Sequence, residues 1–152
     1  MQVIQLNKNQ VTVVDDDVYN LLSLHKWQYV KGYAVRSAFI DGKKKLLSMH
    51  REIAKFHGWV IDGLQIDHRN RNRLDNRIEN LRLATNTQNQ YNRRVAGYDK
   101  LPSGNFRARI RTNGKTQSLG TYATIEEASQ AYQKAAKELH GAFYHDSNVC
   151  SV

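Results

Sequence analysis

The chain has 152 residues, 40% hydrophobic and 24% charged, which suits one ordinary domain or two very small ones and leaves no case for global disorder. No apolar run approaches the roughly 18–20 residues that span a bilayer, residues 1–10 lack the apolar stretch of a secretory signal, and the single cysteine, Cys150, excludes a disulfide framework or a multi-cysteine zinc site. A soluble intracellular protein is expected; its net charge of +9 is spread along the whole chain, which favours a polyanion, most simply nucleic acid, as partner.

From residue 1 to 47 the pattern is short strands and turns. Val3, Ile4 and Leu6, then Val11, Val13 and Val14, predict two strands about the turn Asn7-Lys8-Asn9. Asp15-Asp16-Asp17 reads as the capped start of a short helix through Val18, Leu21, Leu22 and Leu24, since carboxylates there satisfy free N–H groups and suit the helix dipole. A metal site is the weaker reading of the three aspartates. Trp27, Tyr29, Tyr33, Val35 and Phe39 predict two more strands, broken at Lys31-Gly32 and followed by a turn at Asp41-Gly42.

From Ser48 to Arg94 the composition changes. Ser48 should cap a helix carrying Ile53, Ala54 and Phe56, which stops near Gly58. Residues 61–85 hold seven Asn or Asp, too many for long elements and well suited to a turn-rich hairpin. A helix should run from Thr85 to Arg94, with Asn86 or Thr87 as its cap. Residues 95–104 hold two glycines and the only proline, and read as a hinge. Beyond it, Phe106 to Arg111 alternates strictly, Asn113-Gly114 is a two-residue hairpin turn, and Thr116 to Leu119 is the return strand. Thr124 and Glu127 form a capping box for a helix whose face is Ile125, Ala128, Ala131, Tyr132, Ala135 and Leu139, ending at His140-Gly141.

The residues that could carry chemistry lie in the middle. Asp67-His68 is followed 12 residues after the histidine by Asn80-Leu81, and nine residues after that by Asn89. The string from Ile66 to Thr85, IDHRNRNRLDNRIENLRLAT, closely resembles the HNH nucleases, and in particular the small phage and intron homing endonucleases in which the last His is replaced by Asn. That resemblance implies a ββα core around one divalent cation, Mg²⁺ or Mn²⁺, which hard oxygen donors suit. Asp67 would supply an anionic oxygen and Asn89 a neutral one. His68 would take the proton from a water attacking phosphorus. Asn80 would do no chemistry itself, its amide bonding backbone across the loop and keeping His68 aimed. Arg69, Arg71, Arg73, Arg77, Arg82, Arg93 and Arg94 would hold backbone phosphates, although the same residues could form an ordinary solvated surface.

The other histidines are read more plainly. His50 is structural or phosphate-contacting, and His25, His140 and His145 are surface or cap residues. A zinc site using His50, His57 and His68 is the chemical rival, weakened by the missing cysteines.

The C-terminal region resembles the AP2 DNA-binding domain, through Ser103 to Ile110, Leu119-Gly120-Thr121-Tyr122, and Glu126 to Gly141. The resemblance implies a three-stranded sheet in the major groove with one helix behind it. Alternation sends Ala108, Ile110 and Leu119 toward that helix, and Arg107, Arg109, Arg111, Thr116 and Ser118 to the open face. Tyr98 and Phe106 stand where that family commonly carries Trp.

The fold expected is α+β in three parts: a strand-rich segment at 1–47, a nuclease core at 48–94 and a DNA-binding domain at 95–152. The function expected is site-specific, homing-type cleavage of double-stranded DNA by a monomer. The setting implied is the cytoplasm of a bacterial host, with the gene carried by a phage or mobile element. The alternative is a catalytically inactive DNA-binding or regulatory protein that keeps only the reader.

Overall fold

The computed structural model describes residues 1–93 and 95–144; Arg94, His145 and Cys150 lie outside the described residues. The chain divides into two compact units, Met1–Asn86 and Thr87–Val152. It is a mixed α and β protein of small antiparallel sheets and helices. Among the described residues no helix is long and apolar enough to cross a membrane.

In the first unit β1 (Gln2–Gln5) pairs with β2 (Val11–Val14), and the turn residues Lys8 and Asn9 both adopt positive φ. Helix α1 (Asp16–Ser23) buries Val18 and Leu22. A three-stranded meander follows, β3 (Gln28–Val30), β4 (Tyr33–Ile40) and β5 (Lys43–Ser48). Helix α2 (Met49–Phe56) buries Met49, His50, Ile53 and Ala54 and gives way to Gly58 at φ 71°. The hairpin β6 (Gln65–His68) and β7 (Leu81–Ala84) closes the unit, its long loop ending in one 3₁₀ turn at Ile78–Asn80.

One core runs through all of this. Ile4, Val14, Val18, Leu22 and Trp27 lie in the same buried cluster as Met49, Ile53, Ile66 and Leu81. Fully burying a side chain such as Leu22 or Ile53 contributes roughly 1.5–3 kcal/mol, so neither half of the unit keeps its core without the other. The boundary expected at residue 47 therefore has no counterpart in the packing, and the division between units falls at Asn86, ahead of the expected 94.

Three local expectations are corrected. Strand β5 takes up Lys43 to Lys45, whose charge hides its alternation; it is the exposed outer strand of its sheet, where lysines are tolerated. Asp15 sits at the N-cap of α1 but makes no side-chain cap bond, because its Oδ2 accepts the Ile78 N–H at 2.7 Å. Asp16 binds the Met1 amino group and Gln2, and Asp17 faces His57 at 3.6 Å. Ser48, likewise, stands at the N-cap of α2 without a side-chain cap bond.

The second unit begins one residue into α3 (Asn86–Tyr91), which is shorter than expected, and continues with the sheet β8 (Tyr98–Lys100), β9 (Phe106–Thr112) and β10 (Lys115–Tyr122), all antiparallel with β9 central. Helix α4 (Ile125–His140) packs on β9 and β10. Its capping box is complete, with Glu127 N–H donating to Thr124 Oγ1 at 3.2 Å and Thr124 N–H to Glu127 Oε2 at 3.3 Å. The buried face of α4 is Ala128, Tyr132, Ala136 and His140, a strict i, i+4 row, whereas Ile125 and Leu139 are exposed. His140 is therefore no surface residue: its ring stacks on Tyr91 with centroids 3.9 Å apart. The close fit of α4 needs Gly97, since a Cβ there would lie 2.1 Å from the Tyr132 ring.

Candidate active site

Strand β6 carries Asp67 and His68 side by side, and both are buried. Successive residues leave a strand on opposite faces, so the two side chains find different partners. Asp67 stands directly across from Arg82 on β7. Arg82 Nε donates to Asp67 Oδ2 at 2.8 Å and its terminal nitrogen lies 2.6 Å from the same oxygen, with both side chains 7% exposed. Arg82 is thus a buried counter-charge, not one of the surface arginines it resembles in sequence.

His68 turns to a different set of neighbours. Its Nε2 lies 3.3 Å from Asn76 Oδ1. Its ring meets the His50 ring edge-on at 5.3 Å between centroids, and Tyr33 packs on both, 5.4 Å from His50 and 6.2 Å from His68. Arg73 covers Tyr33 with its guanidinium 4.6 Å from the ring centre. Burial pushes the His68 pKa down, against the opposing pull of the Asn76 bond and of the Asp67 and Asp75 charges. Burial first, then the charge of His68, pushes His50 down to about 3. Both rings are neutral at neutral pH, the state in which an imidazole can accept a proton.

Asn80 has the geometry of a loop brace. Its Nδ2 donates to the Asp75 carbonyl at 2.7 Å, its Oδ1 accepts the Asn70 N–H at 3.0 Å, and its own carbonyl accepts the Arg69 N–H at 2.8 Å. The asparagines between them are turn formers in the literal sense: Asn70 Oδ1 accepts the Asn72 N–H and Asn72 Oδ1 accepts the Leu74 N–H. Arg71, in the same loop, sits at φ 63°. Asp75 is clasped by Arg77 through two 2.8 Å bonds and by Asn70 Nδ2 at 2.8 Å, and the guanidinium holds its carboxyl below the usual carboxylate value.

The basic residues fall into two groups. Arg77 bridges Asp75 and Glu79 along the loop, and Arg73 also reaches the Lys31 carbonyl at 3.4 Å. Arg69 and Arg93 are exposed. In the second unit Ala108 and Ile110 are buried under α4 while Arg107, Arg109, Arg111, Thr116 and Ser118 are exposed, and Thr116 and Ser118 pair across the hairpin with Arg111 and Arg109. Arg109 is held by Asp99, its terminal nitrogen donating to Oδ1 at 2.9 Å, and Arg107 lies 3.7 Å from the same carboxylate.

Among the described residues no group of three or more His, Cys, Asp or Glu side chains is arranged to hold a metal. That counts against the three-histidine zinc reading, since His57 turns to Asp17. A single carboxylate suits a different ion. Mg²⁺ keeps several waters and commonly takes one or two carboxylates plus substrate phosphate oxygens, so the hard anionic donor Asp67 fits it. Asn89 lies half-buried on α3, in the second unit.

Reading the sequence missed Thr12, Asn76, Tyr33, Arg82 as an ion-pair partner, and the place of His50 beside His68. Asn76 and Arg82 stand inside the string that drew attention to Asp67 and His68, whereas Thr12, Tyr33 and His50 lie outside it.

With this geometry in view, the comparisons with known proteins become specific. The HNH endonuclease family profile matches residues 49–91, from α2 through α3. An uncharacterized HNH endonuclease of Acanthamoeba polyphaga mimivirus is 34% identical over 143 residues, covering 90% of this chain and 74% of the viral protein. No solved structure matches the chain.

Proposed function

The chain belongs to the HNH endonucleases, a family of DNA-cleaving enzymes that generally use a divalent metal, and from that premise we propose that it hydrolyses double-stranded DNA with His68 as general base and Asp67 as a ligand of Mg²⁺ or Mn²⁺. The observation that carries the assignment is the setting of His68: a buried, neutral imidazole on the strand beside the buried Asp67 carboxylate. Asp67 is the donor that the first unit supplies; Asn89 is the second donor, named by the resemblance alone.

The chain's own groups do the following. His68 takes the proton of the attacking water, and its lowered pKa keeps it competent at neutral pH. Asn80 holds the loop closed over Asp75 and Asn70, which fixes the end of β6 and so the direction of the imidazole. Arg69, Arg71 and Arg73, and beyond them Arg77, Arg93 and Arg94, hold phosphates on either side of the scissile bond. A bound divalent cation would supply charge stabilisation at phosphorus and at the leaving 3′-oxygen.

The second unit is proposed as an AP2-like reader. Its exposed face of Arg107, Arg109, Arg111, Thr116 and Ser118, backed by an apolar face on α4, supports major-groove docking. A reader joined to a cutting unit gives site-specific, homing-type cleavage by a monomer.

The test is incubation of the purified full chain with supercoiled plasmid in Mg²⁺, in Mn²⁺ and in EDTA. Metal-dependent conversion to open-circular or linear DNA is expected. Tight binding with no cleavage in either metal would replace the proposal by a DNA-binding or regulatory protein.

A further inference from the structure

The hydrogen bonds beneath His68 run in one direction only. Thr12 Oγ1, on β2, lies 2.7 Å from the Leu74 carbonyl oxygen. A carbonyl only accepts, and two oxygens this close need a hydrogen between them, so the one hydroxyl proton is committed there. The Met49 sulfur, 3.9 Å from the same hydroxyl, is a weaker acceptor at longer reach and does not compete for it. Oγ1 is then left as an acceptor, and the Asn76 amide 2.7 Å away must present its Nδ2. That turns Asn76 Oδ1 to His68 Nε2, at 3.3 Å. An oxygen of this kind accepts only, so Nε2 carries the hydrogen. A neutral imidazole has one N–H, so the nitrogen that takes a proton is Nδ1.

We propose that Thr12 and Asn76 are positioning residues that fix His68 in its Nε2–H tautomer and thereby select Nδ1 as the basic nitrogen. The proposal rests on His68 being the base. It also gives residues 1–47 a task in the reaction that their sequence does not advertise. Turning the Asn76 amide over would set its oxygen against Thr12 Oγ1 with no hydrogen between them. Thr12 is 0% and Asn76 1% exposed, so bulk solvent does not reach that contact to relieve it. The backbone removes the remaining slack. Val13 N–H donates to the Leu74 carbonyl and Asn76 N–H to the Val13 carbonyl, each at 2.8 Å, and Asp15 takes the Ile78 N–H two residues on. Strand β2 is thus the template against which the 74–78 loop is set.

The experiment is a two-bond ¹H–¹⁵N correlation spectrum of the imidazoles in the full-length ¹⁵N-labelled chain, without metal or DNA, at about pH 8, with His68 assigned by its loss in His68→Gln. The expected pattern is protonated Nε2 and unprotonated Nδ1. A protonated Nδ1, or rapid exchange between the two forms, overturns the proposal.

Thr12→Val removes the hydroxyl at nearly constant shape and lets the amide turn. The His68 pattern should move toward a mixture, and kcat should fall on the order of 10- to 100-fold, as for loss of other outer-shell partners of a site histidine, with KM little changed. Thr12→Ser should restore the single tautomer, and a Thr12→Val spectrum identical to wild type counts against the proposal. If Thr12→Val does not fold, the wild-type spectrum alone decides. Failure of the underlying reading looks different: His68→Ala would still cut DNA, whatever tautomer the spectrum shows.

Discussion

Replacing His50 by glutamine removes a ring that is 8% exposed and whose pKa is pushed down to about 3 by burial, by the charge of His68 and by Arg51. In the unfolded chain the same imidazole titrates near 6.5. Between those two values the unfolded state binds the proton and the folded state does not, so stability rises with pH across the window. It is fully present above about pH 6.5 and is lost as the pH falls toward the folded value. A proton bound in only one of the two states changes stability by about 1.4 kcal/mol for each tenfold change in proton concentration, so His50 alone should remove about 2 kcal/mol between pH 6.5 and pH 5. Against the roughly 5–15 kcal/mol that hold a typical domain together, that is a large share. Both tryptophans, Trp27 and Trp59, lie in the first unit, so urea unfolding followed by fluorescence reports on the unit that contains His50. The wild type and His50→Gln should differ at pH 7 by whatever packing the ring provides. The two curves should then converge as the pH falls to 5, by about 2 kcal/mol. Curves that stay parallel from pH 7 to 5 would refute the reasoning, because His68 titrates in both proteins and only His50 distinguishes them.

Other perturbations separate structure from DNA recognition. Arg82→Leu leaves Asp67 buried without its counter-charge and should cost about 3–5 kcal/mol in urea unfolding; a loss under about 1 kcal/mol would mean the pair is dispensable. Gly97→Ala drives a methyl group into the Tyr132 ring at a positive φ, so hydrogen exchange in α4 should accelerate while that in α1 is unchanged, and equal protection of α4 in both proteins would contradict the packing. On the sheet, Arg111→Ala should weaken DNA binding and shallow the salt slope by about one if it holds a phosphate, or relax preference at one position by about 1–3 kcal/mol if it reads a base. Arg109→Ala should have the smaller effect, because Asp99 already holds its guanidinium; binding isotherms at several salt concentrations that show no change for either would make this face mere solvated surface.

What the sequence showed and what it hid follow from the range of the interactions. The hairpin turn at Asn113-Gly114 and the box of Thr124 and Glu127 are local devices, and the structure forms both as read. The Asp67–His68 pair was visible because the surrounding string is distinctive. What holds that pair is not local. Thr12 meets Asn76 across 64 positions and Asp15 meets Ile78 across 63, and nothing in a valine-rich strand marks one threonine as a hydrogen-bond anchor. Arg82 looked like one of several arginines until the register of β6 and β7 set it opposite Asp67. His140 looked like a surface or cap residue because its partner Tyr91 lies 49 residues earlier on α3. The aspartates stand at the start of α1 as read, but the partner that Asp15 takes in place of a cap bond was hidden for the same reason.

The central claim is that His68 is the proton acceptor, and the single-turnover cleavage rate of His68→Ala in Mg²⁺, measured alongside its DNA affinity, tests it most directly. The rate should drop on the order of 10²–10⁴-fold with affinity nearly unchanged, because a general base is lost and the phosphate contacts are kept. A variant that cuts at close to the wild-type rate while binding normally would contradict the account.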